Sequence, residues 1–289
     1  MGSLAMGRLA LATVAALLLL GATACGERSE PTGPAAAFYP LTVQAGDRPL
    51  VVIEPARRIA VLDPPSSSIV RALGAGRRIV GPSPAAKIDF AALRRAHPDL
   101  IVASEDADER ALSRAASLTQ ADVYTVMGGS IRQVERSITQ LGLLTNTPVH
   151  ARALVRHIET QRRRVNARLK AVQRVTVFVD TGFFTTVSDQ SLIGDLIREA
   201  RGINVAGSTA LSGPVYLPDL LELDPDQYMA TSDSDVTLAD LRRNRRARKL
   251  RAVREGHFAI ADADLLQPGP RIGEGLLEIA TLLHPNAFR

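Results

Sequence analysis

The stretch that most restricts the fold is Thr147–Val172, TPVHARALVRHIETQRRRVNARLKAV. Thr147 is a candidate N-cap whose hydroxyl would accept a backbone N–H. Pro148 suits the first helical position, where no N–H is needed. Neither Gly nor Pro follows as far as Val172. Leu154, Ile158, Val165, Leu169 and Val172 fall near one face at helical spacing, with Arg156, Glu159, Arg163 and Lys170 opposite. Such a helix spans roughly 39 Å, the width of a small domain. A run of short strand and helix patterns precedes it and a second run follows. The segment reads as a strut joining two lobes. An ordinary long surface helix within one domain is the alternative.

The first 25 residues are of another kind. Arg8 precedes the apolar run LALATVAALLLLGATA, and Cys25 follows. A positive start, a short apolar core and small residues at the end describe a secretory signal. The run is shorter than the ~20 residues a bilayer-spanning helix needs. Cys25, the single cysteine, follows Ala22-Thr23-Ala24. This resembles a bacterial lipoprotein cleavage site, with Ala22 where Leu is usual. The resemblance implies cleavage before Cys25 and lipid on its sulfur; a free thiol is the alternative. With no second cysteine, no intramolecular disulfide supports the exported fold, which must rest on its core. Residues 26–40, GERSEPTGPAAAFYP, read as a flexible tether.

The net charge of +5 is mild, and much of the basic excess lies in LRRNRRARKLRAVRE, residues 241–255. No aromatic residue is interleaved there. In an exported chain it reads as a solvated helix face, and no nucleic-acid partner is expected.

Strand and helix patterns alternate on both sides of the strut. Before it, strands are expected at 58–62, 78–80, 100–103 and 123–126, and helices at 66–73, 90–96, 109–118 and 130–144. Ser130 and Gln133 form a capping-box pattern. After it, strands are expected at 175–179, 227–230 and 258–261, and helices at 192–200, 217–223, 238–252 (mostly) and 272–283. Alternation of this kind argues for parallel sheets covered on both faces. One echo suggests duplication: LRRAHPDLIVAS (93–104) parallels LLELDPDQYMAT (220–231), each a helix end, a Pro-Asp pair and an apolar strand. The fold class is α/β, two doubly wound lobes with mainly parallel sheets joined by one long helix. The expected divisions are signal 1–25, tether 26–40, N-terminal lobe 41–146, connecting helix 147–172 and C-terminal lobe 173–289. Ligands of open α/β sheets sit beyond the strand carboxyl ends, which should here face the cleft.

Catalytic and metal patterns are nearly absent. There is no Gly-x-Ser-x-Gly elbow, no phosphate-binding Gly loop and no paired-Cys spacing. His150 and His157 could share a face of the strut, but zinc would need further ligands from elsewhere. Asp180 follows a strand with no partner base in view and reads as a hydrogen-bonding residue at the cleft edge. Neither an enzyme nor a bound cofactor or metal is expected.

Several segments carry a resemblance: RRIAVLDPPSSSIVRALGAGRRIVG, HPDLIVAS, IREARGINVAG, LELDPDQYMA, LRAVREGHFAIAD and PGPRIGEGLLEIATLLHP, in this order. Together, over about residues 41–289, they resemble the periplasmic-binding-protein family that serves importers of iron–siderophores, haem and cobalamin. The resemblance implies two α/β lobes joined by one long helix. It also implies a lipid-anchored protein on the outer face of the cytoplasmic membrane that captures a metal chelate or corrinoid and delivers it to an ABC permease and ATPase. A monomer is expected. The cleft candidates are Pro65, Ser66, Ser83, Lys87, Met127, Phe183, Phe184, Tyr216 and Arg271. The absence of Trp and the few Tyr and Phe make a broad aromatic wall for haem or a corrinoid less favoured.

Departures from the family pattern fall at its docking positions. Ser68 and Pro218, with Asp219 adjacent, stand where relatives usually carry the glutamates that meet transporter arginines. The span from Val80 to Asp99 is also short, implying a reduced cleft wall in the first lobe. A lipid-anchored sensor or adaptor that keeps the fold without transport is therefore the alternative function.

Overall fold

Ile59, Ala60 and Val61 are all buried, the pattern of a strand covered on both faces. In the computed structural model, which describes residues 38–46, 48–84, 87–208 and 213–289, they form a strand of the first sheet. The signal, Cys25 and the tether up to residue 37 lie outside the described residues. An antiparallel hairpin, β1 (Leu41–Ala45) and β2 (Arg48–Val52), precedes this sheet. The sheet is β3 (Ile59–Val61), β4 (Leu100–Ser104) and β5 (Asp122–Val126), all parallel. Helices α1 (Pro64–Ala72), α2 (Phe90–Ala96), α3 (Glu109–Thr119) and α4 (Ile131–Leu144) cover it.

After the strut helix α5 (Pro148–Leu169), a second parallel sheet follows. Its strands are β6 (Val175–Asp180), β8 (Gly202–Asn204), β10 (Gln227–Thr231) and β11 (Phe258–Ala261), ordered β11-β10-β6-β8. A short antiparallel pair, β7 (Thr185–Thr186) and β9 (Gly213–Pro214), stands beside it. The helices are α6 (Leu192–Glu199), α7 (Leu217–Leu223), α8 (Leu238–Arg243), α9 (Arg251–Glu255) and α10 (Ile272–Leu283). No helix among the described residues is long and apolar enough to cross a membrane.

The Pro-Asp echo has the same structural use in both lobes. His97 and Asp224 each end a helix in the left-handed conformation, with φ of 44° and 34°. The following Pro then starts an extended segment. The Asp99 carboxylate accepts the Arg57 and Arg58 N–H groups at 2.8 and 3.0 Å, pinning the approach to β3. Asp226 accepts the Thr176 N–H at 3.0 Å and its hydroxyl at 2.6 Å, pinning β6. The Thr176 hydroxyl, with Arg251 beyond it, holds the Asp226 carboxyl below the usual carboxylate range.

The strut packs tightly against both lobes. A Cβ on Gly142 of α4 would lie 2.4 Å from the Ala151 Cβ of α5. A Cβ on Gly273 of α10 would lie 3.0 Å from Gln161 Cβ and 3.2 Å from Ile158 Cα. Small residues thus let one helix of each lobe approach α5 closely. Ile158, Val165 and Leu169 are fully buried between them.

Four sequence expectations are corrected. The Thr147 side chain caps no backbone N–H; its hydroxyl pairs with Thr145 at 2.8 Å. Residues 78–80 are not a strand: Gly76–Arg78 turn in a 3-10 helix, which leaves only an isolated parallel bridge from Ile79 to Ile59. The first helix begins at Pro64, because Asp63 caps it and the two prolines fit its first turn. The helix expected at 238–252 breaks at Asn244, whose side-chain oxygen accepts the Arg246 and Ala247 N–H groups at 3.0 and 3.1 Å.

At the C-terminus His284 is buried, and its Nε2 donates to the Ala200 carbonyl at 3.0 Å, which fixes the tautomer. Burial holds its pKa below the ordinary 6.5. Below that value the unfolded chain takes up a proton that the fold resists, so stability falls as pH drops from 6.5 toward the folded-state pKa. His284→Gln, which keeps an N–H donor, is expected to flatten this part of a melting-temperature profile against pH.

Candidate functional site

Loops of the second lobe meet the first lobe just past its strand ends, at Gly128 and Gly129. In the first lobe, Asp63 at the end of β3 accepts the Ser104 N–H at 2.7 Å, tying the ends of β3 and β4 together. Glu105, just past β4, accepts the Gly128 N–H at 2.8 Å, tying in the end of β5. From the second lobe, the turn Pro268-Gly269-Pro270 reaches this edge. A Cβ on Gly128 would lie 2.5 Å from Pro268 Cγ, so only glycine permits this approach. A Cβ on Gly269 would lie 3.3 Å from the Ser68 hydroxyl. The turn therefore spans from the tip of β5 to α1.

A hollow of about 520 Å³, lined by first-lobe residues, opens past the ends of β3 and β4. It is lined by Leu62, Asp63, Lys87, Phe90, Ser104 and Asp106, among others. Nearer the strut a polar hollow of about 220 Å³ lies between the lobes, with Gln133 and Arg136 on one side and Asp189, Gln190 and Arg198 on the other.

A polar bridge closes the strut side. Asp195 of α6 is buried and accepts the Ile131 N–H at 2.9 Å, placing a second-lobe carboxylate at the amino end of α4. This is where a helix dipole favours negative charge. Arg198 donates to the other Asp195 oxygen. Arg162 of the strut bonds Glu199 of α6 twice, at 2.6 and 3.0 Å, and reaches Glu135 of α4 at 3.5 Å. Burial raises the Glu135 carboxyl above its ordinary range, with Arg162 opposing that shift.

In the second lobe, buried Asp180 accepts the Gly182 N–H at 2.7 Å and the Tyr228 hydroxyl. It thus holds the loop after β6 from within, not at the open cleft edge. Phe183 and Phe184 both take positive φ there, 54° and 58°, a conformation strained for bulky side chains. Phe183 is 92% exposed at the tip, and Phe184 packs on the lobe's core. The Val215 N–H donates to the Phe184 carbonyl at 2.8 Å, which brings Tyr216, 67% exposed, into the same region.

The remaining candidates fall as follows. Lys87 lines the first-lobe hollow, and Ser83 is exposed on the loop leading to it. Pro65 is half-buried in the first turn of α1, and the Ser68 hydroxyl donates to its carbonyl at 2.7 Å. Ser66 is fully buried and its hydroxyl donates to Asp63, so it braces the strand ends. Met127 is half-buried, its main chain held by Ser137. Pro218 is half-buried in the first turn of α7, with Asp219 exposed beside it. Arg271 is the N-cap residue of α10; its exposed guanidinium bonds Glu274 in the first turn at 2.8 and 2.9 Å. That carboxylate raises the Arg271 pKa and compensates for a cation at the positive end of the helix.

A family profile described as periplasmic binding protein matches residues 83–265, well over half of the chain. The chain belongs to the periplasmic binding protein family. This family supplies the substrate-binding components of ABC transporters, which catalyse no reaction, and this chain is a substrate-binding protein of that kind. A curated relative, the uncharacterized ABC transporter substrate-binding lipoprotein YvrC of Bacillus subtilis (strain 168), is 22% identical over 96% of both chains. Among solved structures, Helicobacter pylori CeuE with Ni(II) bound superposes with a TM-score of 0.75 at 17% identity, covering 86% of this chain and 90% of that one. The vitamin B12 binding protein BtuF of Vibrio cholerae gives 0.71 at 19% identity, covering 81% and 99%. These likenesses establish the two-lobed fold.

Several residues of the candidate site in this periplasmic binding protein carry no sequence signal of the contacts they make. Asp195 and Ile131 are 64 positions apart, and only the fold joins them. Asp106 and Asp108, next to the hollow, lie just past β4 and were within reach of the strand-end rule. Asp63 was also legible, since Asp followed by two prolines is an N-cap and first-turn pattern.

Proposed function

We propose that the chain is an exported lipoprotein, acylated at Cys25, that captures an anionic metal chelate such as a ferric siderophore between its lobes and hands it to an ABC permease and ATPase. A corrinoid is the second ligand class. Arg271 carries the reading: an exposed cation next to the turn Pro268-Gly269-Pro270, which crosses from the second lobe to the first lobe's strand ends. Its present partner, Glu274, is a neighbour in the same helical turn, so the guanidinium is free to turn toward a carboxylate and hold it with two parallel bonds. Lys87 adds a second cation at the hollow, and the exposed rings of Phe183 and Tyr216 offer apolar surface. The nickel and vitamin B12 of the similar solved structures fit the same ligand classes. The sensor or adaptor reading rests on Ser68 and Pro218, which put no carboxylate at the usual docking positions. Asp219 remains as an exposed acid there.

Arg271→Ala tests the ligand role. Binding of a carboxylate-bearing ferric chelate is expected to weaken about ten- to a hundredfold, the scale of a charged hydrogen bond. The unliganded melting temperature should barely move, because the side chain is exposed and pairs only within its own turn. A variant that melts several degrees lower yet binds normally would make Arg271 structural.

A further inference from the structure

The outer layer of the second lobe carries an unpaired cationic face that the capture role does not use. It comprises α8, a 3-10 turn at Ala247–Lys249 and α9. Leu241, Ala247, Leu250, Ala252 and Val253 are buried in one cluster with Phe178, Leu220 and Tyr228, so the apolar side of the segment is consumed by the lobe's own core. The opposite side is almost entirely basic. Arg243 is neutralised by Asp240, and Arg251 by Asp226 at 2.6 Å. Arg242, Arg245, Arg246, Arg248, Lys249 and Arg254 are exposed, with no carboxylate in ion-pair distance among the described residues. Glu255, the one acid in this run beside them, faces His257 at 3.5 Å.

Six like charges within thirteen residues repel one another. Among the described residues none makes an ion pair that offsets this, so the face presents its charge to whatever lies outside the fold. The chemistry of the face selects the partner. Its large apolar side chains are buried and it has no aromatic residue. Protein interfaces are depleted of charge at their centres and enriched in aromatics. Single-stranded nucleic acid is held by stacking on aromatic rings. A layer of anionic headgroups asks only for a dense positive surface.

We propose that this face of the second lobe lies on anionic phospholipid, holding the protein against the membrane surface beside its importer. One supporting argument rests on the lipoprotein reading above: from an acylated Cys25 to Phe38 the chain reaches at most roughly 45 Å, which keeps the lobes near the headgroups. The charge of the face does not depend on that anchor.

The test is co-sedimentation of the full chain with vesicles of phosphatidylcholine alone, and of phosphatidylcholine and phosphatidylglycerol in roughly equal parts. Binding to the anionic vesicles should be about tenfold tighter or more at low salt, and the preference should shrink as salt is raised. Replacing all six residues (Arg242→Gln, Arg245→Gln, Arg246→Gln, Arg248→Gln, Lys249→Gln and Arg254→Gln) should abolish the preference without lowering the melting temperature. Cys25→Ser should lower binding to both vesicle types but keep the preference. If neutral-vesicle binding is unchanged in Cys25→Ser while the preference persists, the anchor reading fails and the lipid face stands. No preference in the wild type, or a preference that survives the six substitutions, overturns the proposal. So does a six-residue variant that still prefers anionic lipid but no longer associates with the detergent-solubilised importer, since the face would then dock a protein.

Discussion

Asp195→Ala is expected to lower the melting temperature by roughly 5–10 °C, from a loss of about 2–3 kcal/mol. Asp195 is only 6% exposed, and its carboxylate is the acceptor that second-lobe helix α6 offers to the Ile131 N–H of α4. Removing it leaves a buried donor unpaired at a helix amino end and withdraws a negative charge from the site where the helix dipole favours one. Arg198, the other partner, is about half exposed and can turn to water, so its release adds little. Asp195→Asn keeps an oxygen acceptor and should lose about half as much. The lobes should also separate more easily, since Arg162 with Glu135 and Glu199 would remain as the polar bridge beside it. Thermal melts of both variants, with small-angle scattering for the separation of the lobes, check this. An Asp195→Ala variant as stable as wild type would show that the bridge carries no weight.

The second large effect is expected at the strut. Gly142→Leu should destabilise the protein by about 3 kcal/mol or prevent folding, because even the first added carbon would stand 2.4 Å from the Ala151 Cβ. Gly142→Ala is the milder case: the gain of about 1 kcal/mol in helix propensity partly offsets the same clash. Combining Gly142→Ala with Ala151→Gly removes the clash and should recover stability beyond the sum of the single changes, less the Gly penalty in α5. Additive melts in that cycle would mean that α4 and α5 do not meet as described.

Much of the fold was legible because its signals are local. The helices at 90–96, 217–223 and 272–283 and the strand at 258–261 fall where periodicity and flanking turns place them. The Pro-Asp echo was readable as a repeat, and its use, a carboxylate pinning the next strand, follows from the chemistry of Asp at a strand edge. Where the reading failed, a local competitor was present. Arg78-Ile79-Val80 has strand composition, but the preceding residues spend the chain in a 3-10 turn. The 238–252 segment has helix composition, but Asn244 offers its own oxygen to the backbone. The β1–β2 hairpin and the brief β8 were not anticipated.

The candidate site was legible only as a set of strand ends. Lys87 and Arg271 followed from that rule. The buried state of Ser66 did not, because it depends on Asp63 claiming its hydroxyl. Nor did the Arg271–Glu274 pair, although Glu three residues on is a spacing the sequence displays. Asp195 at the α4 terminus is a contact between lobes and has no sequence signature.

The capture of an anionic metal chelate is tested most directly by thermal melts against ferric siderophores bearing carboxylates, ferric citrate, haem and cobalamin. A ligand present at a hundred times its Kd adds about 2.7 kcal/mol, which for a chain of this size raises the melting temperature by roughly 5–10 °C. Capture of this kind requires a shift of this size with a carboxylate-bearing ferric chelate, reduced in Arg271→Ala. No shift with any of the four, or an equal shift in wild type and Arg271→Ala, would contradict it.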